Sequence, residues 1–119
     1  MTELTQVIYT HALLMAPEMS DREEELLKDL CFAAEESLQS KLRPNIIIKD
    51  CHNQFVAAAS MYALAALSEI SDEGQFEQVV AGDLTIRRAD STVAANCLRN
   101  QADMLMAPYV KLGVAFMGV

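Results

Sequence analysis

Residues 55–67 read FVAAASMYALAAL, and no other stretch restricts the fold so strongly. Alanine, leucine and methionine are strong helix formers and they dominate it. A surface helix has one apolar stripe and one polar face, whereas this segment is apolar on every side except at Ser60. It is too short to cross a bilayer, which takes about 20 apolar residues. The expectation is a core helix over roughly 50–70, wrapped by other elements, with alanines that let its neighbours approach closely. The fold class that follows is mostly α: a single domain over 1–119, four helices in an orthogonal or bundle-like arrangement, and a short strand or hairpin in the loop before the last helix.

Earlier in the chain, Thr2 and Glu3 suit a helix start, and Leu4, Val7, Ile8, His11, Ala12 and Met15 recur at helical spacing until Pro17 stops the run. Ser20-Asp21-Arg22-Glu23 is a capping box, in which the serine oxygen takes the Glu23 amide and the Glu23 carboxylate reaches back. Leu26, Leu27, Leu30, Cys31, Ala34, Leu38 and Leu42 then form one stripe. Glu24 and Lys28 stand in the favourable order for an ion pair of about 0.3 kcal/mol. Arg43-Pro44-Asn45 ends this second helix near Leu42. The run Glu23-Glu24-Glu25 reads as a solvated face at the favourable helix end, because consecutive helical residues diverge and cannot converge on one metal ion. Ile46-Ile47-Ile48 reads as a turn or extended link, with helix from Asp50 onward.

The character changes after Ser71. Ser71-Asp72-Glu73-Gly74 reads as a turn, and Leu84-Thr85-Ile86-Arg87 alternates like a short half-buried strand. One or two strands make no stable sheet alone, so this segment either forms a hairpin on the helices or pairs its edge with another copy. Asp90-Ser91-Thr92 caps a last helix with Val93, Ala94, Cys97, Leu98, Ala102 and Leu105 on its apolar face and an Arg99–Asp103 pair opposite. Pro108 ends it. Residues 109–119, YVKLGVAFMGV, form an apolar arm that either tucks back or packs on a neighbour.

Charge and chemistry narrow the function classes. The net charge is −8, from 17 acidic and 9 basic residues, and the one adjacent basic pair is Arg87-Arg88, so a nucleic-acid-gripping groove is not expected. Cys31, Cys51 and Cys97 are scattered and odd in number, which suits free thiols in a reducing compartment. The first residues lack the basic-then-apolar pattern of a secretion signal. Cys51-His52 invites a nucleophile–base reading, but adjacent helical residues point about 100° apart. His11 and His52 have no second ligand at zinc spacing, and His11 reads as a partly buried structural imidazole. No phosphate loop, zinc-protease helix or serine-nucleophile motif occurs. No catalytic residue, metal ligand or cofactor is expected.

The order of elements, with Ala81-Gly82-Asp83-Leu84-Thr85-Ile86 and a helix Val93 to Tyr109 ending Leu105-Met106-Ala107-Pro108-Tyr109, resembles the small head–tail connector, or head-completion, proteins of tailed bacteriophages and prophages. The resemblance covers nearly the whole chain, though residues 1–19 are longer and more apolar than the usual start. It implies a non-catalytic structural role in the virion neck, made in the bacterial cytoplasm: a homo-oligomeric ring between portal and tail proteins, with DNA passing through an acidic lumen and no membrane contact. A ring needs one patch to meet a different patch on the next copy. The candidate joints are Leu84, Ile86, Arg87 and Arg88 on the strand, and Tyr109, Val110, Leu112, Phe116 and Met117 on the arm. The alternative readings are a small helical adaptor or regulator of one partner protein, and an enzyme with an unrecognised site.

Overall fold

The alanine-rich stretch lies in the third of four helices. In a computed structural model, these are α1 (Glu3–Met15), α2 (Asp21–Lys41), α3 (His52–Ile70) and α4 (Ser91–Met106), with a 3-10 turn over Ile48–Cys51 leading into α3. The structure describes residues 3–70, 78–81, 84–87 and 91–111, of which 78–81, 84–87 and 91–94 are described as backbone alone. The mostly helical, four-helix expectation holds. The expectations for Thr2, Ser71-Asp72-Glu73-Gly74, Arg88, Asp90 and residues 112–119 lie outside the described residues.

α3 packs against all three other helices. Its buried positions, from Phe55 through Ala58, Ala59, Met61, Ala63, Leu64 and Ala65 to Leu67, point around most of the helix circumference, as a wrapped core helix requires. Ser60 is fully buried too. Its hydroxyl lies 2.8 Å from the Val56 carbonyl of its own preceding turn and 3.1 Å from the Ile8 carbonyl of α1, so the polar group is satisfied where the two helices touch.

α2 starts as its sequence requires. The Ser20 Oγ accepts from the Glu23 amide at 3.3 Å, and the Ser20 amide donates to the Glu23 carboxylate at 2.9 Å. This corrects the solvated reading of the acid run at one position, since Glu23 is 2% exposed and committed to the cap. Lys28 pairs with Glu25 at 3.2 Å, three residues back, in place of Glu24. The helix ends where Leu42 turns extended (φ −64°, ψ 146°), just before Arg43-Pro44. The link to α3 is tighter than a loose turn: Asp50 accepts from the Ile47 amide at 3.2 Å and closes the 3-10 turn. Helix proper therefore begins at His52.

Two faces are rotated from their expected phase. In α1 the buried residues are Thr5, Ile8, Tyr9, Ala12 and Met15, while Val7 is exposed. In α4 they are Ala95, Leu98, Ala102 and Met106, while Cys97 and Leu105 are partly buried. The run Met104-Leu105-Met106 offers an apolar side chain in three directions, and packing on α3 takes Met106 and leaves Met104 in solvent. Between α3 and α4 run β1 (Gln78–Ala81) and β2 (Leu84–Arg87), antiparallel with Val79 opposite Ile86 and Val80 opposite Thr85. The backbone of β1 approaches α1 and that of β2 approaches α4.

Candidate functional site

The polar groups that join the helices also border a concave feature between α2, α3 and α4. α4 is tied to α3 by two side-chain pairs. Arg99 donates through both terminal nitrogens to the Glu69 carboxylate, and the Tyr62 hydroxyl donates to Asp103. The expected Arg99–Asp103 pair is therefore replaced, because each side chain reaches across to α3 instead of along its own helix. The Arg99 guanidinium holds the Glu69 carboxyl below its ordinary range. Burial, reinforced by the Asp103 carboxylate, pushes the Tyr62 phenol up, so Tyr62 remains a neutral donor.

Beside these pairs a cavity of about 210 Å³ opens between α2, α3 and α4. Ala34, Leu38 and Ala66 form its apolar part, and Ser37, Lys41, Tyr62 and Arg99 its polar part. The Lys41 ammonium lies 5.9 Å from the Tyr62 ring centroid, within cation–π range. Lys41 also belongs to the seam where the exit of α2 meets the start of the C-terminal arm. The Arg43 amide donates to the Tyr109 carbonyl at 3.0 Å, and the Lys111 amide donates to the Lys41 carbonyl at 2.9 Å. Leu42 and Val110 pair as an antiparallel bridge between them. The Arg43 Nε reaches the Val110 carbonyl at 3.0 Å, and the Lys111 Nζ lies 3.4 Å from the Ser40 carbonyl. Lys41, Arg43 and Lys111 thus share one edge of the molecule. Among the described residues none of the three meets a carboxylate. Cations, hydroxyl donors and an apolar floor suit an anionic group carried on a short apolar stem.

The residues proposed from sequence as interface joints fall into three groups. Leu84, Ile86 and Arg87 lie on β2, described as backbone only, with Arg88 just beyond it. Tyr109 is partly buried against the core, and Val110 is 4% exposed within the core itself. Val110 thus packs within its own domain. Leu112, Phe116 and Met117 lie outside the described residues. The basic edge was not singled out from sequence. Its extremes, Lys41 and Lys111, sit 70 positions apart, and Lys41 and Arg43 look locally like ordinary cations at a helix C-terminus.

The other candidates do not assemble into chemistry. Cys51 is buried and His52 exposed. Burial, with Asp50 beside it, raises the Cys51 thiol and disfavours the thiolate a nucleophile needs. Burial raises Cys31 further, to about 12. His11 is half-buried, as expected, and its buried Nδ1 has no hydrogen-bond partner among the described residues. Among those residues no three of His, Cys, Asp and Glu are grouped to hold a metal ion, and no helix is long and apolar enough to cross a membrane. No protein-family model matches this chain, and no curated protein or solved structure matches it either.

Proposed function

We propose that the chain is a structural subunit of the head–tail connector of a tailed phage or prophage. It is made in the bacterial cytoplasm and joins portal to tail in the virion neck as a ring through which DNA passes, without catalysis. The observation that carries this reading is the order of elements. A capped acidic helix, a buried alanine-rich helix, the GDLTIRR segment and a last helix ending LMAPY run in the sequence order of such proteins. Two further features are compatible with it. The net charge of −8 disfavours adhesion of DNA to a lumen wall. Lys111, the last described residue, is held at the exit of α2, on the basic edge. Under this reading the joints are β2 and residues 112–119, with Tyr109 and Val110 anchoring the arm.

One observation favours a second reading, an adaptor for a single protein partner. Leu14 and Met104 are 77% and 72% exposed, and Ile47 and Ile70 are also exposed, apolar side chains that a single partner protein would cover. Mixing the purified chain with the portal protein encoded in the same genome separates the two. The connector reading expects a discrete complex carrying many copies per portal, measured as mass in solution. A fixed one-to-one complex with some other protein, and none with portal, would replace it with the adaptor.

A further inference from the structure

We propose that the basic edge and its cavity form the receiving half of a contact between copies of this chain, and that the acidic start of α2 is the half it receives. This rests on the ring reading for its biological setting, but its physical argument is separate.

The argument begins with charge placement. The chain carries an excess of acid, yet Lys41, Arg43 and Lys111 gather at one edge with no carboxylate among the described residues to meet them. Complementing the C-terminal carbonyls of α2 accounts for cations near that helix end. It does not account for the cavity beside Lys41, which Lys41 lines together with Ser37, Tyr62 and Arg99. At the other end of α2, Asp21 and Glu25 are exposed and Glu24 is half-exposed, with Glu18 exposed just before them. Among the described residues Glu25 pairs with Lys28 at 3.2 Å. The two patches are separated by the 21 residues of α2, about 30 Å along its axis, so they cannot meet within one chain.

Opposite charges at opposite ends of a rigid rod make a patch-to-different-patch contact, the geometry that propagates around a ring. A carboxylate of Glu24 or Glu25 on its two-carbon stem matches the cavity: the stem lies on Ala34 and Ala66, and the oxygens reach the Lys41 ammonium and the Ser37 hydroxyl. Like ends repel, so the charge pattern disfavours a two-fold dimer through either patch.

The test uses the full chain and two charge-reversed variants, Glu24→Lys/Glu25→Lys and Lys41→Glu/Lys111→Glu, each checked for helical content and melting temperature. Self-association is measured by sedimentation at low and at high salt. The wild type is expected to gain mass with concentration at low salt and to lose that gain at high salt. Each variant alone should associate at least about tenfold more weakly. A one-to-one mixture of the two should recover association, because every junction in an alternating array is again between opposite charges. A wild type that stays monomeric to roughly millimolar concentration, or a mixture that fails to recover, overturns the proposal. The same variants mixed with portal protein keep the two readings apart. Normal assembly on portal would leave the connector standing and remove this joint. Recovery in the mixture without any portal binding would do the reverse.

Discussion

His11 is the residue whose chemistry is most exposed to solution conditions. Burial holds its imidazole below the ordinary value of 6.5, and its Nδ1 lacks a partner among the described residues. A histidine with a depressed folded pKa is neutral in the fold while the unfolded chain takes up a proton. Stability is therefore full above about pH 6.5 and falls as pH drops from there toward the lower folded pKa, below which this group adds no further slope. Chemical denaturation between pH 7.5 and 5.5 should show this slope in the wild type and a flatter line in His11→Phe. An unchanged slope would place the proton uptake elsewhere. The thiols follow the same logic of burial. Cys31 and Cys51 are buried with raised thiols, while Cys97 is partly exposed. A thiol reagent at neutral pH should label Cys97 first and reach the other two only on unfolding, a pattern mass spectrometry of the labelled peptides resolves. Which residues would be buried polar was hard to read from sequence. Thr5 bonds to Glu35, thirty positions away, inside the α1–α2 contact, and neither residue breaks its local pattern in a way that announces a partner.

α3 and the start of α2 are the elements whose sequence left least freedom. Apolar residues in every direction permit one outcome for α3, and a serine with glutamate three positions later permits one start for α2. Ser20→Ala should cost about 1 kcal/mol, because it removes the acceptor for the Glu23 amide and loosens a glutamate that is already buried. Urea denaturation reads that loss directly, as a lower midpoint with an unchanged slope. The alanines of α3 are a stricter test of close helix approach. Ala59 and Ala63 are buried among neighbouring helices, and Ala59→Leu should destabilise by about 1–3 kcal/mol through overpacking. A variant as stable as the wild type would mean that the helices have room there. The phase of α4 was not legible for a complementary reason. Cys97, Leu98, Leu105 and Met106 support two overlapping stripes, and the choice between them is made by α3, through the Glu69–Arg99 and Tyr62–Asp103 pairs that fix the rotation of α4.

Across the whole molecule, the exit of α2 and the end of the described chain are joined by contacts that local patterns do not encode. YVKLGVAFMGV carries neither helical nor strand periodicity, and its first residues find order by pairing with the exit of α2. Val110 is buried against the core, and four main-chain bonds link residues 109–111 to Lys41 and Arg43 or to the end of α4. The arm is therefore two things. Tyr109, Val110 and Lys111 belong to the domain, and an experiment on the arm as a joint must leave them in place. Ending the chain after Lys111 should preserve helical content and keep the melting temperature within a few degrees, since no described core residue is removed. Ending it after Pro108 should cost about 2–4 kcal/mol, because it deletes buried Val110, uncovers Leu42 and Met106, and takes the carbonyl acceptors from Arg43. Thermal melts of the two truncations, followed by circular dichroism, measure the difference. Mixed with portal protein, the longer truncation then isolates residues 112–119: a folded chain that no longer assembles makes them a joint of the ring. One that assembles normally leaves the ring to be held by β2 and the charged ends of α2.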